Sequence, residues 1–274
     1  MPSQLHPNEF VIDDDYEVNH RDSLMMPARG YDPDSVDRSI YGMMGPPGEI
    51  TLIPRGEWSE RIKQKEATKS RLSDILLRAG IPSTDQNGFG YCWAFSTTGC
   101  IQALRAFNNQ PHIPLNGCSI AATIKKGADQ GGWCGQSLRF AMEHGIAPMG
   151  TGQGQWPALS RKYQTLEPAC RESMEKFKVS EGYIDLTRAD YDQVMTFDQV
   201  ASCLLANIPC ALDFNWWGHS VMGCDLVEVS SGSFGIRIRN SWTDSWGDKG
   251  FSVLQGQKAI PDNAIGVQVT GGVS

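Results

Sequence analysis

A glycine-flanked cysteine at the head of an amphipathic run is the strongest constraint on this 274-residue chain: Gln86-Asn87-Gly88-Phe89-Gly90-Tyr91-Cys92-Trp93-Ala94-Phe95-Ser96. From Trp93 to Phe107, apolar Phe95, Ile101, Leu104 and Phe107 return to one helical face, which predicts a helix whose first turn holds Cys92. A cysteine there sits at the positive end of the backbone dipole, beside N–H groups that have no intrahelical acceptor. That setting favours thiolate over thiol, and the thiolate is the nucleophile. Gln86, six residues upstream, is placed to bring its amide N–H and the Cys92 backbone N–H to one developing oxyanion.

A nucleophile of this kind needs a base and a group that orients the base. His219, in Trp216-Trp217-Gly218-His219-Ser220-Val221, stands at the mouth of an apolar run that reads as a strand. Asn240 closes a segment in which Ile236 and Ile238 alternate with Arg237 and Arg239, the period-two pattern of a half-covered strand. Its amide oxygen is a candidate acceptor for an imidazole proton on a neighbouring strand, fixing tautomer and ring orientation. Trp242 is expected to shield that contact from water.

These residues resemble a papain-like cysteine protease. The matching blocks are Gln86 with Cys92-Trp93-Ala94-Phe95-Ser96, then Gly131-Gly132-Trp133, then His219, then Asn240-Ser241-Trp242 through Trp246-Gly247 and Gly250-Phe251, all in the family's order. His219 and Asn240 follow Cys92 by 127 and 148 residues, close to the family's interval of roughly 130–150. The resemblance runs from about Trp58 to the C-terminus. It implies an α+β, two-lobed fold, with a helical lobe at about 86–150 and an antiparallel, barrel-like β lobe at about 179–274. It also implies a peptide or protein substrate, a Cys92–His219–Asn240 mechanism with Gln86 in the oxyanion site, and a substrate-binding stretch in which Gly132 pairs with the peptide and Trp133 faces a pocket. No cofactor or metal is implied, and no two cysteines have the Cys-x-x-Cys spacing of a zinc site. Departures are present. Asp213 and His219 are closer together than is usual in the family, so a hairpin bordering the leaving-group side of the cleft is expected to be missing. Gly218 also stands where the family has Asp or Asn. These departures bear on substrate preference, and they leave open an alternative in which the chain keeps the fold as a structural subunit with little turnover.

Composition is that of a globular chain, with 40% hydrophobic and 20% charged residues; a net charge of −7 argues against a general nucleic-acid surface. No stretch has the length or apolarity to span a bilayer, and the first residues lack the basic start and apolar block of a signal peptide. Most of the eight cysteines lie inside apolar runs, as small buried hydrophobes do. In secreted members of the resembled family a disulfide pairs two positions that here hold Phe89 and Asp129, so the reading is a reducing, intracellular setting without structural disulfides.

The first 56 residues are different. They hold seven of the fifteen prolines, the acidic run Asp13-Asp14-Asp15 and no sustained apolar period, so they are expected to form an extended arm preceding a 57–274 catalytic domain. The arm lacks the long periodic helix of a propeptide. It is expected to dock on other subunits or symmetry copies within a larger assembly, for which a phage or virus particle is one setting. Glu57 to Ala79 reads as one charged helix ended by Gly80 and Pro82. A glycine-rich loop is expected at Gly150, Gly152 and Gly154, and short strands dominate from about Val179 onward.

Overall fold

Alternation along the C-terminal strands decides the architecture. The computed structural model describes residues 5–17, 29–39, 48–150, 168–178, 182–186 and 193–268. Its strands are β1 (Val11–Ile12), β2 (Tyr183–Asp185), β3 (Cys210–Phe214), β4 (His219–Ser230), β5 (Ser233–Arg239), β6 (Phe251–Gln255) and β7 (Asn263–Val267). They form one seven-stranded sheet in the order β1-β6-β5-β4-β3-β7-β2. Side chains on successive strand residues face opposite ways. Ala211, Met222 and Ile265 accordingly enter one apolar core, while Leu212, Val221, Leu226 and Ile236 enter a second. Both faces are therefore covered, which is why β4 is buried along most of its length.

The first core is filled by the helices α2 (Leu72–Arg78), α3 (Cys92–Phe107), α4 (Cys118–Ile124) and α5 (Cys134–His144), through Leu76, Trp93, Leu104, Ile120 and Leu138. The second takes Trp58 and Ile62 from α1 (Arg55–Thr68) with Val200 and Leu204 from α7 (Gln193–Leu205). The remaining helix, α6, spans Pro168–Glu175. The seven cysteines whose side chains are described are buried and unpaired.

Three expectations need correction. The charged stretch 57–79 forms two helices, because Lys69 adopts a left-handed conformation (φ 50°) and Ser70 N–H closes back on Lys65 O at 3.0 Å. Arg71 braces the break, pairing with Glu66 at 3.0 Å and Asp74 at 2.8 Å. The C-terminal part also contains a 13-residue helix, α7; its buried Phe197, Val200, Ala201 and Leu204 recur at helical spacing. Finally, the sheet ends in separate edges, β1 and β2, and does not close into a barrel. The glycine-rich loop beyond Gly150 lies outside the described residues. Between β3 and β4 runs only the short turn Asn215–Gly218, closed by Gly218 N–H on Asn215 O at 3.1 Å with Gly218 at φ +59°.

The N-terminal stretch is integrated with this frame. β1 pairs with β6 in parallel, Val11 opposite Val253 and Ile12 opposite Leu254. Glu9 reaches Arg237 of β5 through both carboxylate oxygens, at 2.6 and 2.9 Å, with neither side chain exposed. Asp14 accepts the Gln257 N–H at 2.8 Å, at the start of a short 3-10 turn.

Candidate active site

Cys92 is the first residue of α3, as the glycine spacing predicts. The loop before it turns through Asn87 (φ 50°) and Gly88 (φ +76°). The Trp93 indole N–H donates to Gly90 O at 3.1 Å and fixes the helix entry. Ser241 holds Gln86 twice: its carbonyl accepts the Gln86 N–H at 3.0 Å, and its hydroxyl donates to Gln86 Oε1 at 2.6 Å. The Gln86 amide nitrogen donates to Phe89 O at 2.6 Å. Gln86 thus ties the loop that carries Cys92 to the residue that follows Asn240.

His219 opens β4, and Asn240 follows the last residue of β5. His219 Nε2 lies 2.8 Å from Asn240 Oδ1. The same oxygen accepts the Ser241 backbone N–H at 2.8 Å, which identifies it as the carbonyl oxygen of the amide. Nε2 therefore carries the proton and Nδ1 the lone pair, and among the described residues Nδ1 has no hydrogen-bond partner. Trp242 stacks on the imidazole at 4.4 Å and 25°, and Trp217 meets it edge-on at 4.9 Å.

The cleft between the two sides is occupied by the chain's own segment Arg29–Asp32. Gly132 donates its N–H to Gly30 O at 2.9 Å, and Asp32 returns an N–H to Gly132 O at 3.0 Å. Tyr31 pairs in parallel with Gly132 and donates its N–H to Gly218 O at 3.1 Å. Gly30 N–H points at the Cys92 sulfur, 3.2 Å away. The fit is close: a Cβ on Gly30 would lie 1.9 Å from Gly90 O, and one on Gly132 would lie 2.6 Å from the Trp93 ring.

Under this cover burial disfavours the charged form of both Cys92 and His219. Burial pushes the Cys92 thiol up to about 12, against the easing effect of the Ser220 and Gly30 backbone N–H groups. Burial pulls His219 down to about 3; the Asn240 bond opposes that shift and the Arg29 charge adds to it. Asp213, fully buried on β3, is raised to about 6 by burial, although Ser220 and the Cys134 N–H both donate to it.

Of the residues singled out in sequence, the fold thus joins His219, Asn240 and Trp242 in one contact group and brings Gly132 to the cleft. Trp133 caps α5 and is buried, with its ring against Gly135. His219 and Cys92 share no hydrogen bond, since Nδ1 is unpartnered and the sulfur faces Gly30. Sequence reasoning missed Gly30, Tyr31, Asp213 and Trp217. Only Trp217 carried a local signal, as an aromatic beside His219. Among the described residues there is no group of three or more His, Cys, Asp or Glu able to hold a metal, and no helix is long and apolar enough to cross a membrane.

No protein-family model matches the chain. It is 23% identical to the cysteine protease Amb a 11.0101 of Ambrosia artemisiifolia, over 93% of this chain and 65% of that protein. It is also 23% identical to the digestive cysteine proteinase 1 of Homarus americanus, over 62% of this chain and 56% of that one. The chain therefore spans less than two thirds of the length of these curated relatives. Among solved structures, the digestive procathepsin L 3 of Tenebrio molitor superposes with a TM-score of 0.58 at 16% identity, covering 92% of this chain and 80% of that one. Xylellain, a cysteine protease from Xylella fastidiosa, does so at 0.53 and 16%, covering 96% of each chain. This chain is a divergent relative of the papain-like cysteine proteases. Its fold is papain-like and α+β, with Cys92 heading a helix of one side and His219 opening a strand of the sheet. The papain-like frame here carries a short β3–β4 turn and an N-terminal strand added to the sheet edge.

Proposed function

We propose that this chain is a cysteine peptidase held latent by its own N-terminal arm, with residues 57–274 as the catalytic domain. Cys92 is the nucleophile, His219 the base and Asn240 the group that orients it. One observation supports this most directly: His219 is pinned through Nε2 to Asn240 beneath Trp242, with the lone pair of Nδ1 uncommitted. The names of the curated relatives point the same way.

With the cleft cleared, the thiol proton passes to Nδ1 of His219, and the thiolate–imidazolium pair replaces two neutral groups. The sulfur attacks a peptide carbonyl carbon, and the oxyanion is met by the Cys92 N–H, joined by the Gln86 amide only if that amide gives up its bond to Phe89 O. His219 gives its proton to the leaving amine, which leaves an acyl-enzyme. Water attacks that thioester as His219 accepts its proton, and the acid departs with the thiol restored. Gly132 pairs with the peptide backbone, as it now does with the arm, whereas Trp133, buried against Gly135, supports the base of α5 and offers no pocket wall. The buried free cysteines support a reducing setting. The alternative of an assembly subunit, in a particle or elsewhere, draws on the same arm; its described segments dock on this chain, which favours the enzymatic reading.

The test is a peptide digest with a Tyr31→Ala chain, whose arm anchor is removed, against the same chain carrying Cys92→Ala. Hydrolysis that disappears with the sulfur supports the assignment. Equal turnover in both chains overturns it.

A further inference from the structure

We propose that the cleft pocket filled by Tyr31 is built to select a phenol side chain, with Asn263 as its specificity-determining residue and Asp213 as the sheet neighbour of Asn263. The inference rests on the peptidase reading and names the side chain that such an enzyme takes at the position docked on Gly132.

Tyr31 is held as a substrate residue would be. Its flanking backbone exchanges hydrogen bonds with Gly132, its own N–H reaches Gly218 O, and its side chain is buried. The phenol oxygen accepts the Asn263 Nδ2–H at 2.7 Å. The orientation of that amide is fixed, because Arg38 Nη2, which can only donate, lies 3.0 Å from Asn263 Oδ1. The donor end therefore faces the pocket. Asp213, buried on β3, is the register partner of Asn263 on β7 and together with Asp262 makes the surroundings negative. This electrostatic environment repels an acidic side chain. It keeps the phenol in its neutral, proton-bearing form, and burial is the larger cause of that. An aliphatic or phenyl group would fill the space but leave the Asn263 N–H without an acceptor. A site built around a hydroxyl rejects the analogue that lacks it far more strongly than an apolar site rejects a missing methylene.

The first test needs no turnover. In the full chain, Tyr31→Phe removes one oxygen, and the alkylation rate of Cys92 by iodoacetamide, read by mass spectrometry, reports arm release. The rate is expected to rise by about tenfold, which corresponds to one lost buried hydrogen bond. Asn263→Leu is expected to give a similar rise, and adding Tyr31→Phe to it little more. If Tyr31→Phe labels no faster than the parent while Tyr31→Ala does, the pocket reads only bulk and the proposal is overturned. The second test gives the Tyr31→Ala chain matched peptides with Tyr, Phe, Leu, Arg or Glu at the docked position. Tyr leading by about tenfold or more supports the assignment. Phe or Leu equal to Tyr, or Arg in the lead, overturns it. If no peptide is cleaved, the peptidase reading fails separately, and the labelling series still decides the pocket.

Discussion

The backbone N–H of Gly30 donates to the Cys92 sulfur at 3.2 Å, so the atom that faces the proposed nucleophile is an amide nitrogen and not a carbonyl carbon. The carbonyl of Gly30 is turned away to Gly132. A peptide lying this way satisfies the groups of the cleft without offering the sulfur a bond to attack, so under the proposed mechanism the seated segment is not a substrate. Gly30 is required sterically, since any Cβ there would meet Gly90 O at 1.9 Å. Gly30→Ala should therefore unseat the segment. A loss of only about 1.4 kcal/mol of docking energy raises the open fraction about tenfold. Iodoacetamide labelling of Cys92 should rise by at least that factor, and an unchanged rate would show that Gly30 does not hold the arm.

The second prediction concerns Asn240. Its oxygen serves both His219 Nε2 and the Ser241 N–H. Asn240→Ala, in a chain with the arm unseated, should free the ring to adopt either tautomer and lower kcat/KM by about 10²-fold, within the range of positioned acid–base groups. Nitrogen NMR of His219 should show mixed tautomers. Full kcat/KM with a mixed spectrum would remove Asn240 from the mechanism.

Acid should release the arm. With the segment seated, burial holds His219 down at about 3; unseating it removes the share of that burial which the segment supplies and moves the imidazole back towards its free value near 6.5, while Trp242 and Trp217 stay in place. The seated state thus binds the proton more weakly. Its stability relative to the open state is intact above about 6.5 and is lost progressively as pH falls towards 3. Asp213, raised to about 6, acts in the opposite sense only to the extent that the arm contributes to its burial; Ser220 and Cys134 hold it in either state. Hydrogen exchange at the Tyr31 and Gly132 amides, corrected for intrinsic pH dependence, should accelerate through this window, and His219→Gln should flatten the response. Exchange independent of pH between 7 and 4 would contradict the linkage.

Glu9→Ala should cost about 3–5 kcal/mol, because it removes the two-oxygen carboxylate partner of the fully buried Arg237 guanidinium. Asp225, 3.5 Å away on the other side, supplies only part of the missing charge. Urea denaturation is the measurement. A change below 1 kcal/mol would mean that Arg237 finds water once the strand is loosened.

What the sequence made legible was chemistry with a local signature. The helix start at Cys92, the strand mouth at His219 and the strand end at Asn240 each announce themselves within a few residues. The contacts that decide the state of the site are nonlocal and lack such a signature. Gly30 and Tyr31 act through backbone groups and one hydroxyl, across 62 residues in the case of Gly30 and Cys92. β1 is two residues long, too short for any period to register, and its pairing depends on Glu9 finding Arg237 in another strand. The period of α7 was present in Phe197, Val200 and Leu204, but the strands around it set the expectation.

The Glu9–Arg237 pair has a consequence for maturation. Residues 9–12 are laced into the sheet through β1 and the Glu9–Arg237 pair, whereas residues 30–32 are tied to Gly132, Gly218 and Asn263, so the two parts of the arm have separate anchors. A single backbone cut between Glu17 and Arg29 would not shed the outer fragment. The product would migrate as two polypeptides under denaturing conditions and as one particle in solution, with the severed N-terminal piece serving as a permanent noncovalent subunit.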